Sequence, residues 1–253
     1  MITKRIIDEK GIDQTEDTVL VLGYFDGLHK GHQALFEKAR EIAAEQGLKI
    51  AVMTFPESPK LAFVRYQPEL MLHLASPEER MAQLESLGVD YLYLIDFTSH
   101  FAGNTARDFF EKYVSRLRAK AVVAGFDYHF GSDRKESHEL RDYFNGKIVI
   151  VPSVNLDNQK ISSTRIRETI AVGDMLKTQE LLGYPLSTRG IVVHGNARGR
   201  TIGYPTANLA PLDRVLLPGD GVYVADVEHN GQRYRGMASV GKNVTFDGDE
   251  LRF

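Results

Sequence analysis

Apolar positions follow two alternating patterns through most of the chain and a third near its end. Val19 to Leu22 is a continuous apolar run, the mark of a strand buried on both faces. Three glycines later, apolar residues recur at helical spacing at Leu35, Ala39, Ile42 and Ala43. Lys49 to Phe55 repeats the buried-strand pattern, and Pro56 and Pro59 end it, opening an irregular segment to about Pro68. Ser76-Pro-Glu-Glu79 is a capping box with proline at the first helical position; it predicts a helix to about Leu87, closed by Gly88. Tyr91–Asp96 predicts a third strand. Thr105 caps a predicted helix through Arg118, with Phe109, Phe110, Tyr113, Val114 and Leu117 on its core-facing side. Ala121–Gly125 and Lys147–Val151 predict two more strands, and a helix opens at Ser163 or Thr164. Strands alternating with helices predict an α/β fold, a parallel sheet covered on both faces. From Ser187 the pattern changes to β-type segments between glycine turns, Gly190–His194, Gly221–Glu228 and Arg233–Val240, which predict antiparallel β. Two domains are expected, 1–183 and 184–253.

Composition narrows the class. At 253 residues, 43% hydrophobic and 26% charged, the chain has the make-up of a globular protein with a sizeable core. A net charge of −3 gives no electrostatic argument for nucleic acid or for an anionic membrane. Zero cysteines exclude disulfides and thiolate metal sites and fit a cytoplasmic location. No signal peptide and no membrane span of roughly 20 apolar residues is expected. Oligomeric state is not legible.

The chemistry concentrates in three places. The first is Gly23-Tyr-Phe-Asp-Gly-Leu-His-Lys-Gly-His32, a strand-to-helix turn. His29, Lys30 and His32 are basic side chains at a helix N-terminus, where the dipole disfavours cations unless an anion is bound. Phosphate is the expected anion; a solvated turn with incidental histidines and a two-histidine metal site are the alternatives. The second is Ile161-Ser-Ser-Thr-Arg-Ile-Arg167, which again sets Arg165 and Arg167 at a helix start. Two such sites could converge on one polyphosphate. The third is Gly195 to Asn208, where glycines and arginines suit phosphate and the oxygens of Thr206 and Asn208 suit Mg²⁺, although on the residues alone a glycine-rich hairpin loop is the better reading. No Gly-x-Gly-x-x-Gly follows the first strand and no P-loop is present, which argues against a dehydrogenase and excludes a P-loop kinase.

These motifs carry a resemblance. The pattern Gly23, Phe25, Asp26, Gly27, His29, Gly31, His32 resembles the His-x-Gly-His signature in the form used by the bacterial bifunctional riboflavin kinase/FMN adenylyltransferase family, also called FAD synthetases. The stretch 162–167 is similar to that family's Ser-Ser-Thr-x-Ile-Arg motif. The resemblance implies a Rossmann-like nucleotidyltransferase domain that transfers AMP from ATP to FMN, giving FAD and pyrophosphate. ATP-binding positions are then Gly23, Phe25, Asp26, Gly27, His29, Gly31, His32, Ser162, Ser163, Thr164, Arg165 and Arg167, with His29, His32 and Arg165 as catalytic groups. Gly125-Phe-Asp-Tyr-His-Phe-Gly131 resembles a flavin-contacting loop, and Phe55-Pro-Glu-Ser-Pro59 a second one in which Glu57 and Ser58 replace the usual Pro and His. Flavin contacts are therefore expected at Phe55, Pro59, Asp127 and Phe130. Gly203, Pro205, Thr206 and Asn208 are similar to the Gly-x-Pro-Thr-Ala-Asn signature of riboflavin kinase and imply Mg²⁺ and ATP binding, with Thr206 and Asn208 on the metal. The family's kinase base, a Glu, does not align with Glu250, and the stretch from Ser187 is short for a six-stranded barrel. A partial antiparallel barrel with an unpaired edge is expected, with little riboflavin kinase activity in this chain although a full-length parent should have it. Small-molecule substrates (ATP, FMN and possibly riboflavin) are the only implied partners. Transfer to another phosphate acceptor and a non-catalytic flavin- or nucleotide-binding regulator are the competing readings.

Overall fold

The computed structural model describes residues 1–194, 206–242 and 251–252. Two compact units separate by their internal contacts: Met1–Met71 with Pro77–Ser162, and Leu72–Ser76 with Ser163–Phe253. By compactness the division near the middle of the chain falls at 162/163, whereas the sequence pattern places it at 183.

The first unit is built on a six-stranded sheet. Its strands are β1 (Ile2–Ile6), β2 (Thr18–Leu22), β3 (Lys49–Thr54), β4 (Tyr91–Ile95), β5 (Ala119–Gly125) and β6 (Lys147–Val151). Their order is β1-β4-β3-β2-β5-β6, and every pairing is parallel. Every residue of β2 is buried, and its side chains alternate between two cores, as expected of a strand covered on both faces. Val19 and Val21 pack with Phe36, Ala39 and Ile42 of α1 (Lys30–Gln46) and Leu84 of α2 (Pro77–Ser86). Leu20 and Leu22 pack with Phe109, Phe110, Tyr113, Val114 and Leu117 on the other side. From β2 the chain moves outward to β3 and β4, then returns across β2 to β5 and β6. The order therefore reverses between β2 and β5, and the crevice at their carboxyl ends is the switch point where such sheets bind ligands.

Two elements differ from the sequence pattern. β1 was not expected: of its five residues only Ile6 is buried, and its pairing with β4 spans almost ninety residues of separation (Ile2 opposite Tyr91). The helix expected over Thr105–Arg118 is broken. Thr105 caps it in a reciprocal capping box with Asp108, but the α-helix ends at Phe109 and a π-helical turn covers Phe110–Val114. The widened turn lets two adjacent aromatics, Phe109 and Phe110, both reach the core. Arg118 then takes a left-handed φ of 51° and stops the segment.

The second unit opens with α3 (Ser163–Ala171) and α4 (Met175–Leu182), which bury Ile166, Ile170, Leu181 and Leu182. Asp174 caps α4, and Gly183 closes it at φ 89°. The strands that follow are antiparallel. β7 (Gly190–Val193) pairs with β8 (Asn208–Pro211), and β9 (Gly221–His229) with β10 (Gln232–Lys242). Asn230 and Gly231, both at positive φ, form the two-residue turn that matches the twist of the β9–β10 hairpin.

Candidate active site

Seven positions after β2 carry a turn with unusual backbone. Phe25 sits in the left-handed region at φ 59°, Gly27 at φ 73° and Leu28 at φ 38°. A buried, bulky residue at positive φ is strained, and the surrounding packing holds it there. The Phe25 ring is 1% exposed, tilted against Phe36 at 5.2 Å and edge-on to His32 at 5.3 Å. That ring folds back over Gly23. A Cβ on Gly23 would lie 2.7 Å from two of its carbons, so only glycine fits there.

The strained turn ends on His29, which is the N-cap of α1. Its Nδ1 accepts the backbone N–H of His32 at 3.2 Å. A neutral ring whose Nδ1 accepts must carry its proton on Nε2, so His29 presents an Nε2–H donor. The two imidazoles stack face to face, centroids 3.6 Å apart and 14° from parallel. Burial pushes the His29 pKa down to about 4, with the nearby Asp26 opposing part of that effect. Burial also pushes His32 well below the ordinary imidazole value, helped by the adjacent His29 ring and then by the cations of Arg80 and Lys160. This corrects the picture of three cations at one helix start. His29 and His32 are neutral N–H donors near pH 7, and only Lys30, which is exposed, is a basic side chain of the lysine or arginine kind in that turn. Gly31 permits the stack: a Cβ there would press within 3.1 Å of the His29 ring. Among the described residues no group of three or more His, Cys, Asp or Glu forms a metal site, so the two-histidine metal alternative gains no third ligand.

The loop after β5 reaches the same switch point. Asp127 is exposed and ion-pairs with Lys160 at 2.5 Å, and the Lys160 ammonium also lies 4.5 Å from the centre of the Phe126 ring. Both Asp127 and Lys160 act electrostatically on His29. Phe130, expected as a flavin contact, is 4% exposed and packs in the core against Phe110 at 5.6 Å and Tyr143 at 5.7 Å. Phe55 is half-buried, its ring edge-on to Phe97 and Phe101, and Pro59 begins a short 3₁₀ turn.

The sequence pattern missed two basic residues of this unit. Lys160 lies in a short hairpin strand with no motif of its own. Arg80 is buried on α2, a helix that reads from its spacing as an ordinary amphipathic cover. Charged residues are rarely that deep, so an arginine aligned with Leu84 on the inner face is the signal that could have found it.

In the second unit, α3 starts at Ser163, so Ser163 and Thr164 belong to its first turn rather than preceding it. Arg165 and Arg167 are its third and fifth residues, and Arg167 Nη2 donates to the Leu72 carbonyl at 2.6 Å. Thr206 is exposed and Asn208, the first residue of β8, is partly buried. Gly203, Pro205 and Glu250 lie outside the described residues.

The FAD synthetase family model matches residues 11–165, and the riboflavin kinase family model matches residues 182–253. The chain belongs to the bifunctional riboflavin kinase/FMN adenylyltransferase family. The family member from Listeria monocytogenes is 41% identical over 237 residues, 92% of this chain and 74% of that protein. Those from Bacillus subtilis and Escherichia coli are 37% and 34% identical, each over 92% of this chain and 75% of the relative. A solved structure described as a macrolide-efflux protein from Streptococcus pneumoniae is 57% identical, with a TM-score of 0.95 over 100% of this chain and 83% of that one. That description concerns transport, while both family models matching this chain concern flavin chemistry. No helix among the described residues is long and apolar enough to cross a membrane.

Proposed function

We propose that the stretch matched by the FAD synthetase family model, with the motif at its end, transfers AMP from ATP to the phosphate of FMN, giving FAD and releasing pyrophosphate. The observation that supports this most is the stacked, neutral His29–His32 pair on a strained turn at the sheet's switch point, inside the stretch matched by the FAD synthetase family model. An FMN phosphate oxygen attacks the α-phosphorus of ATP, the bond to the bridging oxygen breaks, and pyrophosphate leaves on the opposite side. Such a displacement needs alignment and charge stabilisation more than covalent help from the protein. The His29 Nε2–H is pre-oriented by the cap and costs no rearrangement when it donates to a phosphate oxygen. As negative charge gathers on that oxygen, the imidazoles are drawn toward their protonated forms, which strengthens the contact as the transition state forms. The resemblance of the 162–167 motif supports giving the leaving pyrophosphate to Arg165 and Arg167, with Ser162, Ser163 and Thr164 as hydroxyl donors. Asp127 is assigned to the flavin.

Mg²⁺ fits this donor set as a companion of ATP: it favours phosphate oxygens and water and needs few protein ligands. In the second unit the hydroxyl of Thr206 and the amide oxygen of Asn208 are hard donors of the same kind. They support a second reading, phosphorylation of riboflavin by the stretch matching the riboflavin kinase model.

The deciding experiment incubates the chain with FMN, α-labelled ATP and Mg²⁺ and looks for labelled FAD. His32→Ala is expected to lose turnover by about 10²–10³ with an unchanged circular dichroism spectrum, the scale of removing one preorganised donor. Full turnover in that variant would end the assignment. Label transfer to pantetheine phosphate or nicotinamide mononucleotide instead of FMN would favour another acceptor. Binding without turnover would favour a regulator.

A further inference from the structure

Arg80, the fourth residue of α2, carries a guanidinium into the interior and is 9% exposed. Its hydrogen-bond acceptors among the described residues are neutral. Nη1 donates to the Phe55 carbonyl at 2.9 Å, and Nη2 donates to the Tyr24 carbonyl and to Thr54 Oγ1, the latter at 2.5 Å. Nε is buried without a partner, and the Tyr24 ring lies 5.2 Å from the guanidinium carbon. Thr54 Oγ1 in turn donates to the Tyr24 carbonyl at 2.8 Å, which closes a small ring of bonds. Burial is the largest influence on this cation and holds its pKa below the usual arginine value, with the nearby Tyr24, Asp26 and Glu57 offsetting only part of it; for stability alone this is a costly choice.

What the guanidinium joins gives it a purpose. Tyr24 enters the strained turn that presents His29 and His32. Thr54 and Phe55 end β3 and open the segment assigned to the flavin. Arg80 grips both from beneath with one rigid, planar fork that a lysine cannot reproduce. We propose that Arg80 is a positioning residue for adenylyl transfer, fixing the phosphate-binding turn and the flavin-side segment at one separation. It touches neither substrate in this assignment; it acts through Tyr24, Thr54 and Phe55. The proposal rests on the adenylyl-transfer reading.

The test compares wild type, Arg80→Met and Arg80→Lys in the FMN, ATP and Mg²⁺ assay, with turnover divided by the folded fraction from circular dichroism. Misplacement of reacting groups by about an ångström costs on the order of 100-fold. The Met variant should lose kcat on that scale, with KM for ATP and FMN held within about threefold, and the Lys variant should recover only part of it. In Arg80→Met the His32 ring, followed by NMR, should titrate at higher pH because a neighbouring cation is gone. Unchanged kcat per folded molecule in both variants overturns the proposal, as does full rescue by lysine, which would reduce the role to charge. Should the Met variant not fold, the partial loss in Arg80→Lys decides the matter alone. An inactive wild type would refute adenylyl transfer itself, a different result from active wild type with active variants.

Discussion

Acid should destabilise the first unit through His29, and the effect can be isolated with one substitution. The ring is 5% exposed, and its pKa stands at about 4 in the folded chain against an ordinary 6.5. Between those values the unfolded chain holds a proton that the native state refuses. Stability therefore rises with pH across this window and falls as pH drops through it. The gap corresponds to about 3.4 kcal/mol once both states are protonated, of which about 2.5 kcal/mol should already be lost near pH 4.5 relative to pH 7.5. His29→Asn is the clean comparison. Asparagine caps a helix through its own side chain, so α1 keeps its first turn, but it cannot titrate. Urea unfolding followed by circular dichroism at about pH 7.5 and pH 4.5 should show wild type losing about 2.5 kcal/mol more than the variant. Titrating groups remote from this turn are common to both proteins and cancel in the difference; His32, stacked on His29, is followed separately by NMR. Parallel stability–pH curves for the two proteins would refute the reasoning, since they would mean that His29 keeps its proton in the fold or never loses contact with water.

Gly23→Ala should cost about 1–3 kcal/mol and depress FAD formation, because the new methyl group drives the Phe25 ring toward His32; thermal melts with parallel turnover measure both, and a fully active, unshifted variant contradicts the packing argument. Asp127→Asn tests the flavin assignment. Its ion pair with Lys160 is largely solvated, so the melt should move by less than about 1 kcal/mol, while KM for FMN should rise about tenfold through loss of a charged acceptor; an unchanged KM removes Asp127 from the flavin site.

The sequence alone determined the parts of this protein that depend on near neighbours. The buried runs Val19–Leu22 and Ala121–Gly125, the helical spacing of Leu35, Ala39 and Ile42, and the Thr105 cap are local signals, and each marks an element that the fold contains. The glycines at 23, 27 and 31 announced a turn that needs close approach, and the fold contains it. Strand order was out of reach, because β1 joins the sheet through a partner almost ninety residues away and shows little burial of its own. Tertiary structure also decided the charge of the site. Spacing made His29 and His32 basic side chains at a helix start, but only burial and the face-to-face stack make them neutral donors, since a proton's cost depends on the medium around the ring rather than on its neighbours in sequence. Arg80 belongs to the same category. Nothing in its surrounding sequence says that its guanidinium lies beneath Tyr24 and Phe55, because those contacts exist only once α2 is laid against the carboxyl ends of β2 and β3.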